Sequence, residues 1–225
     1  VIDYLDKQVN NENITIRTGT EVSSIQKKGK SITVRTTEGD EIKSDAVVIA
    51  TGFDLFESRR KEEYGYGIYE NVITSAELET MFSKNEIRRH NGEIPLRIGF
   101  VHCVGSRDAK VNNLYCSKLC CVTAVKQAME VKKHIENARV YCFYMDMRMG
   151  GALYEELYKE SQEKYSINYI RGKVSEVSET IDIHLVVKVE DTLAGRPLRM
   201  ELDMLVLMAG MEMSESGLKL ARSSN

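Results

Sequence analysis

The sequence has no tryptophan and only 2 prolines in 225 residues. It has no low-complexity segment, which excludes a disordered chain. No apolar run reaches the ~18 residues of a membrane-spanning helix, so such a span is excluded. Neither charge sign dominates: 31 Lys and Arg stand against 34 Asp and Glu, a net charge of -3. Without a long basic block, nucleic acid is excluded as the main partner. There is no secretory signal, because Val1-Ile2-Asp3-Tyr4 opens the chain without a basic region or an apolar run. An initiator methionine is also missing, so the chain reads as a piece of something longer. The 5 cysteines are odd in number and two are adjacent, unlike a secreted disulfide scaffold. The compartment is read as reducing, hence cytoplasmic. The most informative absence is Gly-x-Gly-x-x-Gly, the turn that lets a backbone approach a pyrophosphate at a helix N-terminus.

What is present is an internal echo. Ile14 to Arg17 is strand-like. Glu21 to Gln26, Ser31 to Thr36 and Glu41 to Lys43 alternate with period two and are punctuated by Gly29 and Gly39, the pattern of a three-stranded meander. It leads into Asp45-Ala-Val-Val-Ile-Ala-Thr-Gly52, a continuous apolar run that suits a strand buried on both faces. The order then returns. Ile167 to Ile170 is a strand, Lys173 to Ser178, His184 to Glu190 and Leu198 to Leu202 form a second meander, and Asp203 to Gly210 repeats the buried strand.

Between the echoes, Leu96 to His102 and Arg139 to Met145 read as strands, and Cys116 to Ile135 and Ala152 to Tyr165 as helices. Strand-helix-strand-helix-strand implies a parallel sheet with right-handed crossovers. Residues 53–95 read as a connector with one short helix near Thr74 to Met81, capped by Thr74 or Ser75 with Glu77. The fold class is α/β: a Rossmann-like parallel sheet with helices, plus two β-meanders. Topologically this is similar to the middle of a flavoprotein disulfide reductase, where one nucleotide domain is inserted into another. The domains are then 1–95, part of a flavin domain; 96–212, an inserted Rossmann-like domain; and 213–225, a return toward the first.

Where the glycine-rich turn belongs, the sequence has Cys103, Cys116, Cys120 and Cys121. Four thiolates near a helix N-terminus suit an iron–sulfur cluster or zinc, and ligand count leaves both open. Adjacent cysteines are less typical of zinc knuckles, which favours iron–sulfur. Cys116 and Cys120 share a helix face, whereas Cys121 lies about 100° around. One centre therefore collects all of them only if Cys116 is still in loop or the first turn of the helix is distorted. The free N–H groups of the helix start favour negative charge, and Arg107 and Lys118 add positive charge. Cys142, inside an apolar strand, is read as a core residue. His90, His102, His134 and His184 are scattered without ligand spacing, and the Met145-x-Met-x-Met149 run reads as core filler.

These residues carry a resemblance. Cys103-Val-Gly-Ser-Arg-Asp108, Tyr115-Cys-Ser-Lys-Leu-Cys-Cys121, Ala124-Val-Lys-Gln-Ala128, Phe143-Tyr-Met-Asp-Met-Arg148 and Val189-Glu-Asp-Thr192 resemble the heterodisulfide reductase A family, the A subunits of that enzyme. The flavoprotein subunit of the quinone-interacting membrane-bound oxidoreductase is also similar. The resemblance implies a thioredoxin-reductase-like core, FAD, and a [4Fe-4S] cluster on Cys103, Cys116, Cys120 and Cys121. It also implies flavin contact at Ala50-Thr51-Gly52. The flavin fingerprint and further clusters expected on either side are not in this sequence, so FAD is expected only in the complete subunit. The function implied is electron transfer between FAD and iron–sulfur clusters within an oxidoreductase complex, the partners being its other subunits, with the isolated chain inactive. Two other readings stay open: a zinc-stabilised non-catalytic interaction module, and a nicotinamide-dependent flavoprotein disulfide reductase. The second lacks its glycine motif and its Cys-x-x-Cys.

Overall fold

The computed structural model describes residues 8, 9 and 13–223. The chain divides into two compact units, residues 1–54 with 213–225, and residues 55–212.

In the first unit, β1 (Val22–Lys28), β2 (Ser31–Thr36) and β3 (Glu41–Ser44) form the expected antiparallel meander in the order β1-β2-β3. Ile25 lies opposite Val34, and Val34 opposite Ile42. Gly29 turns the first hairpin at φ 63°, a left-handed conformation without penalty only for glycine. A helix over Glu215–Ser223 packs along β1.

Two expectations fail in this unit. Ile14 to Arg17 forms no strand and is exposed. Asp45 to Gly52 is neither a strand nor buried, and Val48 is 90% exposed. A strand buried on both faces needs neighbours on both edges, and among the described residues none pairs with this segment.

The second unit runs β4 (Val72–Thr74), α1 (Ser75–Ser83), β5 (Arg97–Val104), α2 (Cys120–His134), β6 (Arg139–Tyr144), α3 (Tyr154–Glu163) and β7 (Asn168–Arg171). A meander of β8 (Val174–Glu179), β9 (Leu185–Asp191) and β10 (Arg196–Leu202) follows, and then β11 (Met204–Ala209). The sheet order is β4-β11-β5-β6-β7, and every pairing is parallel. Here the echo of Asp45–Gly52 is the buried strand that its pattern predicts, because β4 and β5 flank it. The boundary expected at 95/96 falls inside this unit, since Val72 pairs with Leu205. Thr74 caps α1 with a complete capping box: its hydroxyl accepts from the Glu77 N–H at 3.3 Å and the Glu77 carboxylate accepts from the Thr74 N–H at 2.7 Å.

The sheet has a different layer on each face. On one, Ile98, Phe100, Val140, Met204 and Val206 pack against Ala124, Ala128 and Val131 of α2 and Leu78 of α1. On the other, Val101, Leu205 and Leu207 pack against Val177, Leu185, Val187 and Leu202 of the meander. Gly99 makes that approach close, because a Cβ there would lie 2.6 Å from the Leu202 side chain. Asp203 opens β11 by accepting the backbone N–H groups of Leu96 and Arg97 at 2.9 and 2.8 Å and pairing with the Arg97 guanidinium at 2.8 Å.

Candidate metal centre and flavin-side turn

The cysteine block lies where β5 ends and α2 begins. Cys103 closes the regular part of β5 at φ 59°, and Gly105 and Arg107 follow at φ 71° and 54°. These left-handed residues turn the loop, whose Ser106, Arg107 and Asp108 N–H groups donate to the carbonyls of Cys103, Tyr115 and Asn113. Gly105 has no alternative, since a Cβ would lie 2.0 Å from the Phe56 ring.

The sequence pattern starts the helix at Cys116, but α2 starts at Cys120, with Leu119 before it making no side-chain cap. Lys118, at φ 63°, breaks the helical path. Cys116 is therefore in loop, while Cys120 and Cys121 occupy the first turn, which meets one of the two conditions set by the helix geometry.

Hydrogen bonds hold the two cysteine-bearing segments together. Arg107 N–H donates to Tyr115 O at 2.9 Å, and Asp108 and Asn113 exchange backbone bonds at 2.8 and 3.1 Å. The Ser106 hydroxyl donates to Tyr115 O at 3.1 Å and accepts from Ser117 N–H at 3.2 Å. A third strip, after β6, reaches the same place: Arg148 N–H donates to Cys121 Sγ at 3.4 Å and Cys121 Sγ donates to Asp146 O at 3.7 Å. Lys118 N–H donates to Cys116 Sγ at 3.3 Å.

All five cysteines are free thiols. Burial pushes the Cys103 thiol up to about 12, and negative charge on Cys120, Cys121 and Cys116 pushes the same way, against the opposing pull of Arg107. Burial pushes Cys120 up to about 11, with Cys121 and Cys116 adding to it. Burial also raises Cys121, against the Arg148 N–H bond. The four thiols thus lie within electrostatic reach of one another. Among the described residues, however, no three Cys, His, Asp or Glu side chains converge closely enough to hold a metal ion as they stand. The donor set nevertheless fits a thiolate-held cluster: four free sulfurs, backbone N–H groups aimed at two of them, and a guanidinium beside them. Cys142 sits on β6 in the helix-side core, fully buried.

Ala50, Thr51 and Gly52 lie in the other unit, all exposed. Ala50 and Thr51 line an open cleft of about 1110 Å³ with Thr20, Glu21, Ser214 and Ser216. Gly52 turns at φ 72°. These residues provide no pyrophosphate cradle.

The chain is 44% identical over 188 residues to the A subunit of the H(2)/formate:CoB-CoM heterodisulfide,ferredoxin reductase of Methanococcus maripaludis. It is 43% identical over 188 residues to the iron-sulfur A subunit of the CoB--CoM heterodisulfide reductase of Methanocaldococcus jannaschii. Each match takes in 80% of this chain. Over that stretch the chain is similar to heterodisulfide reductase A subunits. It spans 29% of the length of each of these two relatives. Residues 1–80 also match the pyridine nucleotide-disulphide oxidoreductase family. In fold, the chain is similar to the thioredoxin reductase of T. acidophilum, with a TM-score of 0.51 at 18% identity, over 99% of this chain and 61% of that one. The thioredoxin-reductase-like α/β architecture is therefore the observed one. Among the described residues no helix is long and apolar enough to cross a membrane.

Two features of the site have no sequence signature. One is the Asp146–Arg148 strip, brought to Cys121 only by the sheet. The other is a buried ion network beneath the loop. Lys61 Nζ, 2% exposed, pairs with Asp108 at 2.6 Å and Glu63 at 2.7 Å, and Lys173 joins Asp108 at 3.2 Å. Burial alone would raise Asp108, but hydrogen bonds from Lys61, the Lys110 backbone and Lys173 outweigh it and hold the carboxyl at about 2.

Proposed function

We propose that this chain is the cluster-holding part of an electron-transfer subunit of the heterodisulfide reductase A type. It passes electrons between FAD and iron–sulfur clusters inside an oxidoreductase complex whose other subunits are its partners. What supports this reading is the order of the free thiols, Cys103 at the end of β5, Cys116 in the loop and Cys120 and Cys121 in the first turn of α2, in a chain similar to an iron-sulfur subunit of heterodisulfide reductase. Cys103, Cys116, Cys120 and Cys121 hold one [4Fe-4S] cluster, which when bound accepts and releases single electrons. The reading requires the four thiols to rotate toward a common centre and lose their protons as the metal enters. The N–H groups of Lys118 and Arg148 then donate to ligand sulfurs, the kind of contact that tunes such a centre. Ala50, Thr51 and Gly52 contribute one wall of the flavin site, and tight FAD binding belongs to the complete subunit.

The test is loading of the chain with iron and sulfide without oxygen, followed by iron, sulfide, zinc and flavin analysis. Equal iron and sulfide with a broad absorption band in the violet supports the reading. A colourless chain with stoichiometric zinc establishes the zinc-stabilised module instead. Tight stoichiometric FAD on this chain would overturn the assignment of flavin binding to the complete subunit.

A further inference from the structure

We propose that Arg107 is the positioning cation of the cysteine site, its guanidinium setting the reduction potential of the iron–sulfur group held there. The inference rests on the cluster reading above and adds a role that the cysteine pattern does not contain.

Arg107 is fixed at both ends. Its backbone is left-handed at φ 54° and its N–H is tied to Tyr115 O at 2.9 Å, one residue before Cys116. Its Nη2 donates to Asp146 Oδ2 at 2.8 Å. Asp146 in turn accepts from Cys121 through its backbone oxygen. The other terminal nitrogen, Nη1, is buried and has no hydrogen-bond partner. A buried guanidinium N–H without an acceptor is costly, and such a group calls for an explanation. Besides Asp146, Arg107 is coupled electrostatically to Cys103 and Cys116 and to Cys121, which carry negative charge once they become thiolate ligands. Three of the four proposed ligands therefore lie within electrostatic reach of one cation. The other cations beside the block, Lys118 and Arg148, are exposed, where water screens them.

Reduction adds one electron to a centre that already carries thiolate charge. A fixed cation in a partly buried site favours that added charge more than a solvated lysine does, so it raises the potential. Asp146 keeps the fork oriented without cancelling it, because Asp146 also shares its charge with Arg171 at 3.6 Å.

The experiment uses the full chain, loaded with iron and sulfide without oxygen, in native, R107Q, R107K and K118Q forms. Iron and sulfide content is measured first, then the midpoint potential by a redox titration followed through the electron spin signal. R107Q is expected to keep its cluster and to lower the reduced-to-oxidised ratio about tenfold at the native midpoint, a shift of about 59 mV for a one-electron couple. R107K is expected to restore most of that shift, and K118Q to leave the midpoint in place. An unchanged midpoint in a cluster-bearing R107Q overturns the role of Arg107 while the cluster reading stands. Should R107Q fail to load, R107K decides: a cluster near the native midpoint supports the role, and loss of the cluster in both variants overturns it. Absence of iron and sulfide from the native chain overturns the cluster reading, and the role of Arg107 with it.

Discussion

Ser117 donates its hydroxyl proton to the Ser106 hydroxyl oxygen at 3.3 Å, and this bond is the middle of a relay. Met211 N–H donates to Ser117 Oγ at 2.9 Å, and Ser106 Oγ donates onward to Tyr115 O at 3.1 Å. Each hydroxyl gives one proton and accepts at least one. The relay ties the residue after Cys116 to the loop after Cys103 and to the end of β11, so it fixes the spacing of the cysteine segments.

S117A should therefore cost more than a surface substitution. It leaves the Met211 N–H without its acceptor and removes a donor from Ser106, an expected loss of about 1–2 kcal/mol. Thermal unfolding of the variant measures it. A change indistinguishable from zero would mean that water replaces the serine without cost.

The Lys61–Asp108 pair is buried on both sides, so removing Asp108 leaves the buried Lys61 ammonium with Glu63 alone. D108N should lower stability by about 3 kcal/mol. K61M/D108N, which strands neither member of that pair, should recover part of the loss. Denaturant unfolding of the single and double variants measures the coupling, and simple additivity would show that the pair does not act as a unit.

Acid should expose the same pair. The Asp108 carboxyl is held at about 2 against an ordinary 3.8. Its folded value lies below its unfolded one, so its stabilising effect is complete above about 3.8 and fades as pH falls toward about 2. The stability difference between the native chain and D108N should shrink over that window. A difference that stays constant or widens there would contradict the assigned direction.

At α1, T74A should cost about 1 kcal/mol, because the capping box loses its hydroxyl acceptor. Helix content and the unfolding midpoint measure this. The capping box is legible in the sequence because Thr74 and Glu77 are three residues apart and their reciprocal bonds are local.

The rest of the molecule divides along the same line. Elements set by local pattern are legible: both meanders, the parallel order of the cysteine-bearing region, α1 and α3. Asp45–Gly52 and Met204–Ala209 show where pattern stops. Both read as continuous apolar strands, yet only the second has β4 and β5 beside it, and no local signal distinguishes them. β4 escapes the pattern because three residues, Val72-Ile73-Thr74, are too few to show a period, and their partner lies far along the chain. The start of α2 lies four residues later than the pattern puts it, at Cys120 instead of Cys116. Ser117 gives its hydroxyl proton to Ser106, and Lys118 turns left-handed. The cysteine set is legible as a set. The contacts that Asp146, Arg148 and Lys61 make with the site and its loop are not, since each depends on the folded sheet.

In the proposed site Cys103, Cys116, Cys120 and Cys121 share one iron–sulfur centre and Cys142 takes no part. The most direct measurement is iron X-ray absorption on the anaerobically loaded chain beside its C120A and C142A variants. The account predicts an all-sulfur first shell with iron–iron scattering behind it in the native chain and in C142A, and loss of that signature in C120A. An iron site with nitrogen or oxygen in its first shell, or a signature lost in C142A and kept in C120A, would contradict it.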